Sequence, residues 1–212
     1  MDKLILCIHL AYLNATSIII PEVGQRIMSS LIGVNLNKIF MAFYPRVVKD
    51  SKNIFEFKGA IETPQVLPYI VVKHKGKVLT YSRSKGAETR LHGSRSIGFG
   101  GHIDKEDSEP YMSNMDTIYQ AAKRELKEEL GLVLDNFEER VKFTHNILDY
   151  TNSVGMVHFG LVAIVELSDF EMDSLLIDPE EITDALFQEI DVLKTYSSYY
   201  ENWSQMIIEE LI

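Results

Sequence analysis

The sequence predicts an α/β fold with a mixed central sheet and helices on both sides. Three observations carry this. Leu67–Lys73 and Val78–Arg83 are β-branched, strand-like runs joined through His74-Lys75-Gly76, which reads as a hairpin. Met156–Leu167 is nearly continuous apolar sequence, as a central strand covered on both faces requires. Between them, residues 114–130 repeat at helical spacing. Tyr119, Ala122, Leu126 and Leu130 share one face, while Glu125, Glu128 and Glu129 share the next.

The other elements follow in order. Leu4–His9 reads as a strand, Glu22–Leu31 as a short helix and Lys38–Tyr44 as a strand ended by Pro45. With the turn-like stretch 48–63, these make residues 1–64 an N-terminal elaboration, leaving 65–212 as the main domain. Ser96–Phe99 is a short strand closed by Gly100 and Gly101. Ser113 with Asp116 three residues on forms a capping box that starts the long helix, and Gly131 stops it. Val141–Leu148 and Ala185–Gln188 are further strands, Ser168–Leu176 a loop or short helix, and a helix begins near Glu189. Residues 199–212 close the chain as an amphipathic helix with Trp203, Met206, Ile207 and Leu211 on one face.

Composition excludes several classes. The 212 residues are 46% hydrophobic and 25% charged, with a net charge of −10. Tight sequence-independent binding to nucleic acid or to an anionic membrane requires a basic surface, so neither is expected as a partner. Cys7 is the single cysteine, which rules out an internal disulfide and fits a reducing, cytoplasmic compartment. The apolar run Leu4–Ile20 is broken by His9, Asn14, Thr16 and Ser17 and is expected to be neither a leader nor a membrane span.

Chemistry concentrates on the long helix. Three carboxylates within about 100° of helix surface repel one another unless protons or a cation intervene. Hard oxygen donors suit Mg²⁺ or Mn²⁺, and Mg²⁺ completes its shell with water and substrate phosphate. Arg124, flanking the acids, is placed to orient a carboxylate. A solvated Glu/Lys helix explains the charges but not the Gly-Gly turn before them.

The stretch Arg124-Glu125-Leu126-x-Glu128-Glu129-x-Gly131-Leu132 resembles, position for position, the second half of the Nudix box, G-x5-E-x7-R-E-U-x-E-E-x-G-U. Gly101 takes the place of the box glycine, with nine extra residues around Lys105–Ser113, and Asp116 stands where the box has its first Glu. The stretch from Gln65 through the Gly-Gly-His-Ile turn and Val154–Gly160 to Glu201–Ser204 is also similar to a bacterial Nudix phosphohydrolase-like subgroup. The resemblance implies a Nudix-like α/β/α sandwich and metal-dependent hydrolysis of a phosphoanhydride in a nucleoside diphosphate linked to another group. By it, Glu125, Glu128, Glu129 and the Gly101 carbonyl hold the metal, and Arg124 positions a carboxylate. A later loop supplies a further acid, Glu181 or Glu180 with Asp178 behind them.

Arg83, Lys85, Arg90 and Arg95 cluster around residues 84–94 and read either as the entry for substrate phosphates, with Arg90 the first choice for contact and Arg83 and Arg95 beside it, or as a solvated loop. His102 is expected to support the metal site and His158 to be a satisfied interior histidine. The second reading is a nucleotide-binding Nudix-like sensor without turnover, which the retained acids disfavour. Diphosphate isomerase chemistry needs an active-site cysteine, and Cys7 lies far from the box. A homodimer through residues 1–64 is compatible with the sequence and not required by it.

Overall fold

The computed structural model describes residues 3–13, 16–45, 61–83, 94–180 and 182–212, with Arg83 described in its backbone alone. The chain forms two compact units. One comprises Met1–Tyr69, Gly101–Ala122 and Phe143–Val162, the other Ile70–Gly100, Lys123–Lys142 and Ala163–Ile212. Three elements run through both: strands β4 (Gln65–His74) and β9 (His158–Glu166), and helix α1 (Asn114–Leu130).

In the first unit, β1 (Leu4–Ile8) pairs antiparallel with β3 (Met41–Pro45) and meets β4 at Cys7–Gln65. A 3-10 turn, Leu36–Lys38, precedes β3, its first amides closed by the Asn35 side chain accepting from Asn37 N–H. The predicted helix at Glu22–Leu31 is instead strand β2 (Arg26–Ser30), antiparallel to β8 (Phe143–Asp149), with Arg26 opposite Asp149 and Ser30 opposite His145. Gly24, at φ +88°, turns the chain into β2, and the ladder with β8 overrides the helix propensity of Gln25, Arg26 and Met28. The core joins Leu6, Ile8, Leu31, Leu148 and Phe159 to Ile118 and Ala121 on the first half of α1. Asn114 ties the start of that helix to the 3-10 turn, its Nδ2 donating to Leu36 O and Ile39 O at 2.9 Å each. The predicted capping box forms: Asp116 N–H donates to Ser113 Oγ, and Ser113 N–H returns to Asp116 Oδ2.

In the second unit, β4 and β5 (Lys77–Arg83) make the predicted hairpin, turning at Lys75 (φ +48°) and Gly76 (φ +79°). The unit's strands are ordered β10-β5-β4-β9, with β10 spanning Ile182–Glu189. The predicted strand 96–99 divides into β6 (Arg95–Ser96) on β5 and β7 (Gly98–Phe99) on β4. At the break, Ile97 N–H donates to Ser204 Oγ and Ser96 Oγ to Glu201 Oε1, so the closing helix Asn202–Glu210 takes up the ladder's loose ends. Met206, Ile207 and Ile208 of that helix are buried, as are Val72, Tyr81, Phe99, Leu126 and Leu130. Among the described residues, no helix is long and apolar enough to cross a membrane.

Candidate active site

The second half of α1 carries the candidate chemistry. Leu126 and Leu130 are fully buried and fix the helix rotation, so Lys127 and Glu128 face solvent while Glu129 is drawn in at 7% exposure. A carboxylate held that far from water needs hydrogen-bond donors. One is the backbone of the Gly100 turn, whose N–H donates to Glu129 Oε2 at 3.1 Å. Gly100 adopts φ +140°, a backbone state that L side chains avoid, which is why a glycine precedes Gly101 here.

Arg124 meets two of the three acids through one nitrogen. Its Nη1 lies 2.8 Å from Glu125 Oε1 and 3.1 Å from Glu128 Oε2. Two carboxylates that reach the same cationic nitrogen have the reach to share one cation, and their oxygens are the hard donors a Mg²⁺ or Mn²⁺ ion prefers. The donor set therefore fits a divalent ion. The described side chains are not gathered into a cluster of three or more acids, histidines or cysteines around one point. The guanidinium engages Glu125 and Glu128, and the Gly100 amide engages Glu129.

Gly131 ends the helix at φ +63°, returning Leu132 N–H to Leu126 O. It also makes room: a Cβ there would stand 2.8 Å from Leu176 Cβ. Leu176 belongs to a segment that caps the helix end. Its N–H donates to Leu130 O at 2.8 Å, and Asp178 N–H donates to Glu129 O at 3.0 Å, satisfying carbonyls that the helix leaves without partners. Asp178 Oδ1 then accepts from Glu180 N–H at 2.8 Å, and Asp178 O accepts from Ile182 N–H as β10 begins. Sequence reasoning placed acids in this segment but not its attachment to the helix. The Asp-Pro pair at 178–179 was the available signal, as a turn starter.

The remaining candidates divide. Arg90, Glu181 and Lys85 lie outside the described residues, as does the Arg83 side chain. Arg95 is engaged locally: Nη2 donates to Thr80 Oγ1 and to Asp184 O, and Nη1 to Ser82 Oγ, holding a bulge where Asp184 sits at φ +51°. His158 is a buried, bonded histidine, with Nδ1 2.7 Å from Val154 O and Nε2 3.4 Å from Gln65 Nε2. His102, next after Gly101, lies with its ring 5.5 Å from that of His158.

These features define a Nudix fold. The crystal structure of Tm1382, classed among the Nudix hydrolases, matches with a TM-score of 0.65 at 19% identity, over 98% of this chain and 97% of that one. DR0079 from Deinococcus radiodurans matches at 0.50 and 10% identity, over 79% of this chain and 91% of its own. A NUDIX hydrolase from Alicyclobacillus acidocaldarius matches at 0.50 and 15% identity, over 70% of this chain and 91% of its own. No family model matches the sequence. Protein YmaB of Bacillus subtilis (strain 168) is 31% identical over 150 residues, 69% of this chain and 70% of that protein. The chain belongs to the family of YmaB.

Proposed function

We propose that the protein hydrolyses a phosphoanhydride bond in a small phosphorylated substrate of the nucleoside diphosphate-X type: a nucleotide sugar, ADP-ribose, a dinucleotide or a nucleoside triphosphate. The observation that carries this reading is the convergence of Glu125 and Glu128 on one cationic nitrogen, beside a buried Glu129. Glu125, Glu128 and Glu129, with the Gly101 carbonyl, are the residues that would hold Mg²⁺ or Mn²⁺. When bound, such an ion neutralises charge on phosphoryl oxygens and acidifies a water molecule.

The chain's own groups do the rest. Water adds to phosphorus, the anhydride P–O bond breaks, and the proton passes to a carboxylate and on to solvent. Glu180 and Glu181 are the acids offered from the segment that caps α1. Arg124 keeps Glu125 and Glu128 turned toward one point. Arg90 and Arg83 are proposed to meet the substrate phosphates. Arg95, whose two Nη atoms are engaged by Ser82, Thr80 and Asp184, braces β5 against β10.

The test is a panel of nucleoside triphosphates, nucleotide sugars, ADP-ribose, dinucleotides and dinucleoside polyphosphates with Mg²⁺ or Mn²⁺, with products resolved by chromatography. Glu128→Gln is expected to lower turnover roughly a hundredfold, the scale of losing one charge-stabilising group. Its exposed position leaves the fold intact. Near-normal turnover in that variant would remove the carboxylate assignment.

A further inference from the structure

Among the described residues, β3 pairs with β1 alone, so it stands at an edge of the sheet. His9 N–H donates to Phe40 O, while Leu6 and Ile8 donate the other way, to Ile103 O and Pro64 O. Hydrogen-bonded pairs alternate along an antiparallel ladder. Phe40, Ala42 and Tyr44 therefore turn their backbone toward β1, and Met41, Phe43 and Pro45 turn theirs outward. Edge strands are ordinarily guarded by charge, a bulge or a cover. Residues 4–9 and 40–45 contain no Asp, Glu, Lys or Arg, in a chain with 31 acids. One face of this ladder is aromatic. Around His9 lie the rings of Phe40, Tyr44 and Tyr12, with centroids 4.8, 5.5 and 6.1 Å away, and its Nε2 meets the Tyr44 hydroxyl at 2.7 Å. Tyr12 is 60% exposed, Phe40 48% and Tyr44 36%. For side chains of this size, that leaves roughly 300 Å² of aromatic surface in water, as much as the largest apolar patch of many monomers.

We propose that β3 is the interface between two copies of this chain, pairing antiparallel with β3 of the second copy about a two-fold axis through Phe43. The register follows from the groups that face outward. Phe43 N–H and C=O meet the C=O and N–H of their counterpart, and Met41 N–H reaches Pro45 O of the second copy at each end. Pro45 has no N–H to offer and sits where its carbonyl alone is required. The two aromatic faces become one, with Tyr44 beside Ala42 of the second copy. Charge selects the same surface. Copies with a net charge of −10 repel each other, and the acid-free edge is where they can approach. The rings and a five-residue ladder bury less than about 1,200 Å² in total, the range of weak, reversible interfaces. The inference stands apart from the hydrolase reading and survives its failure.

The experiment is sedimentation equilibrium of the full chain from about 1 to 200 µM, with melting temperatures read at the dilute end. Wild type is expected to dimerise with a Kd on the order of 10 µM. Tyr44→Glu sets a carboxylate on both sides of the two-fold axis and is expected to weaken the dimer about tenfold or more. Its exposed position keeps melting within about 3 °C of wild type. Met41→Pro removes an N–H that points away from β1, so it is expected to weaken the dimer as well while the β1 ladder stays. Ile32→Glu, at a residue 87% exposed and outside the ladder, is expected to leave the Kd within about twofold. A wild type that remains monomeric to about 200 µM overturns the proposal. So does a dimer that either Tyr44→Glu or a folded Met41→Pro leaves at wild-type strength. A dimer weakened as much by Ile32→Glu as by Tyr44→Glu overturns it too, because the contact then lies off β3. Should Met41→Pro fail to fold, the Tyr44→Glu and Ile32→Glu pair decides.

Discussion

Gly100 and Glu129 stand 29 residues apart in the chain and are joined by a 3.1 Å hydrogen bond from backbone amide to carboxylate. The bond gives Glu129 two duties, as acceptor for a turn and as an acid of the candidate site. Substitution separates them. Glu129→Ala strands a half-buried amide and is expected to cost about 1–3 kcal/mol of stability together with activity. Glu129→Gln keeps an acceptor for the amide and recovers most of the stability while remaining inactive. Calorimetry beside turnover checks this, and an active Gln variant would leave Glu129 with the structural duty alone.

Gly131 is constrained twice, by its positive φ and by Leu176. Gly131→Ala is expected to destabilise by roughly 2–3 kcal/mol, combining left-handed backbone strain with a contact that must shift. For a chain of this size that is a fall of about 5–10 °C in melting temperature. Gly131→Asn, which tolerates the left-handed region better, should lose less. Equal melting of the Ala variant and wild type would show that the segment beneath Leu176 yields freely.

Arg140 grips Glu171 with two nitrogens, Nη1 to Oε1 at 2.5 Å and Nη2 to Oε2 at 3.0 Å, and also donates to Glu166 O. The guanidinium hydrogen bonds hold the Glu171 carboxyl down at about 2, from an ordinary 4.5. A depressed acid stabilises the fold fully above its unfolded value, and that contribution fades as pH falls from about 4.5 towards 2. Denaturant unfolding at pH 7, 5 and 3 should show a loss of about 1–3 kcal/mol in that window that is missing from Glu171→Gln. An identical pH profile in both proteins would count against the pair.

The parts of the site legible in the sequence were those built from local spacing. Ser113 and Asp116 are three residues apart, and their reciprocal bonds follow from that separation. The carboxylate face of α1 likewise follows from helical geometry. What the sequence concealed depended on distant partners. Arg26–Ser30 reads as helix by propensity and is a strand because β8, more than a hundred residues later, offers it a ladder. The division of residues 95–99 depends on a serine hydroxyl 107 residues away. Leu176 and Asp178 lie in a loop, and their bonds to the end of α1 were hidden because the acceptors, Leu130 O and Glu129 O, are distant in the chain. Of the basic residues grouped by closeness in sequence, Arg95 bonds Thr80, Ser82 and Asp184, partners on neighbouring strands that its own neighbourhood in the chain does not reveal.

Cys7 sits in β1 at 2% exposure, and burial pushes its thiol up to about 12. At neutral pH it is therefore a protonated sulfur out of reach of reagents that need a thiolate. Since it is also the single cysteine of the chain, the native protein is expected to react with neither maleimides nor disulfide probes. Any cysteine introduced at an exposed position would be the one site that takes a label. A spin or fluorescent reporter placed at the exposed Ser174 would thus follow the segment leading to the end of α1 in an otherwise unaltered background.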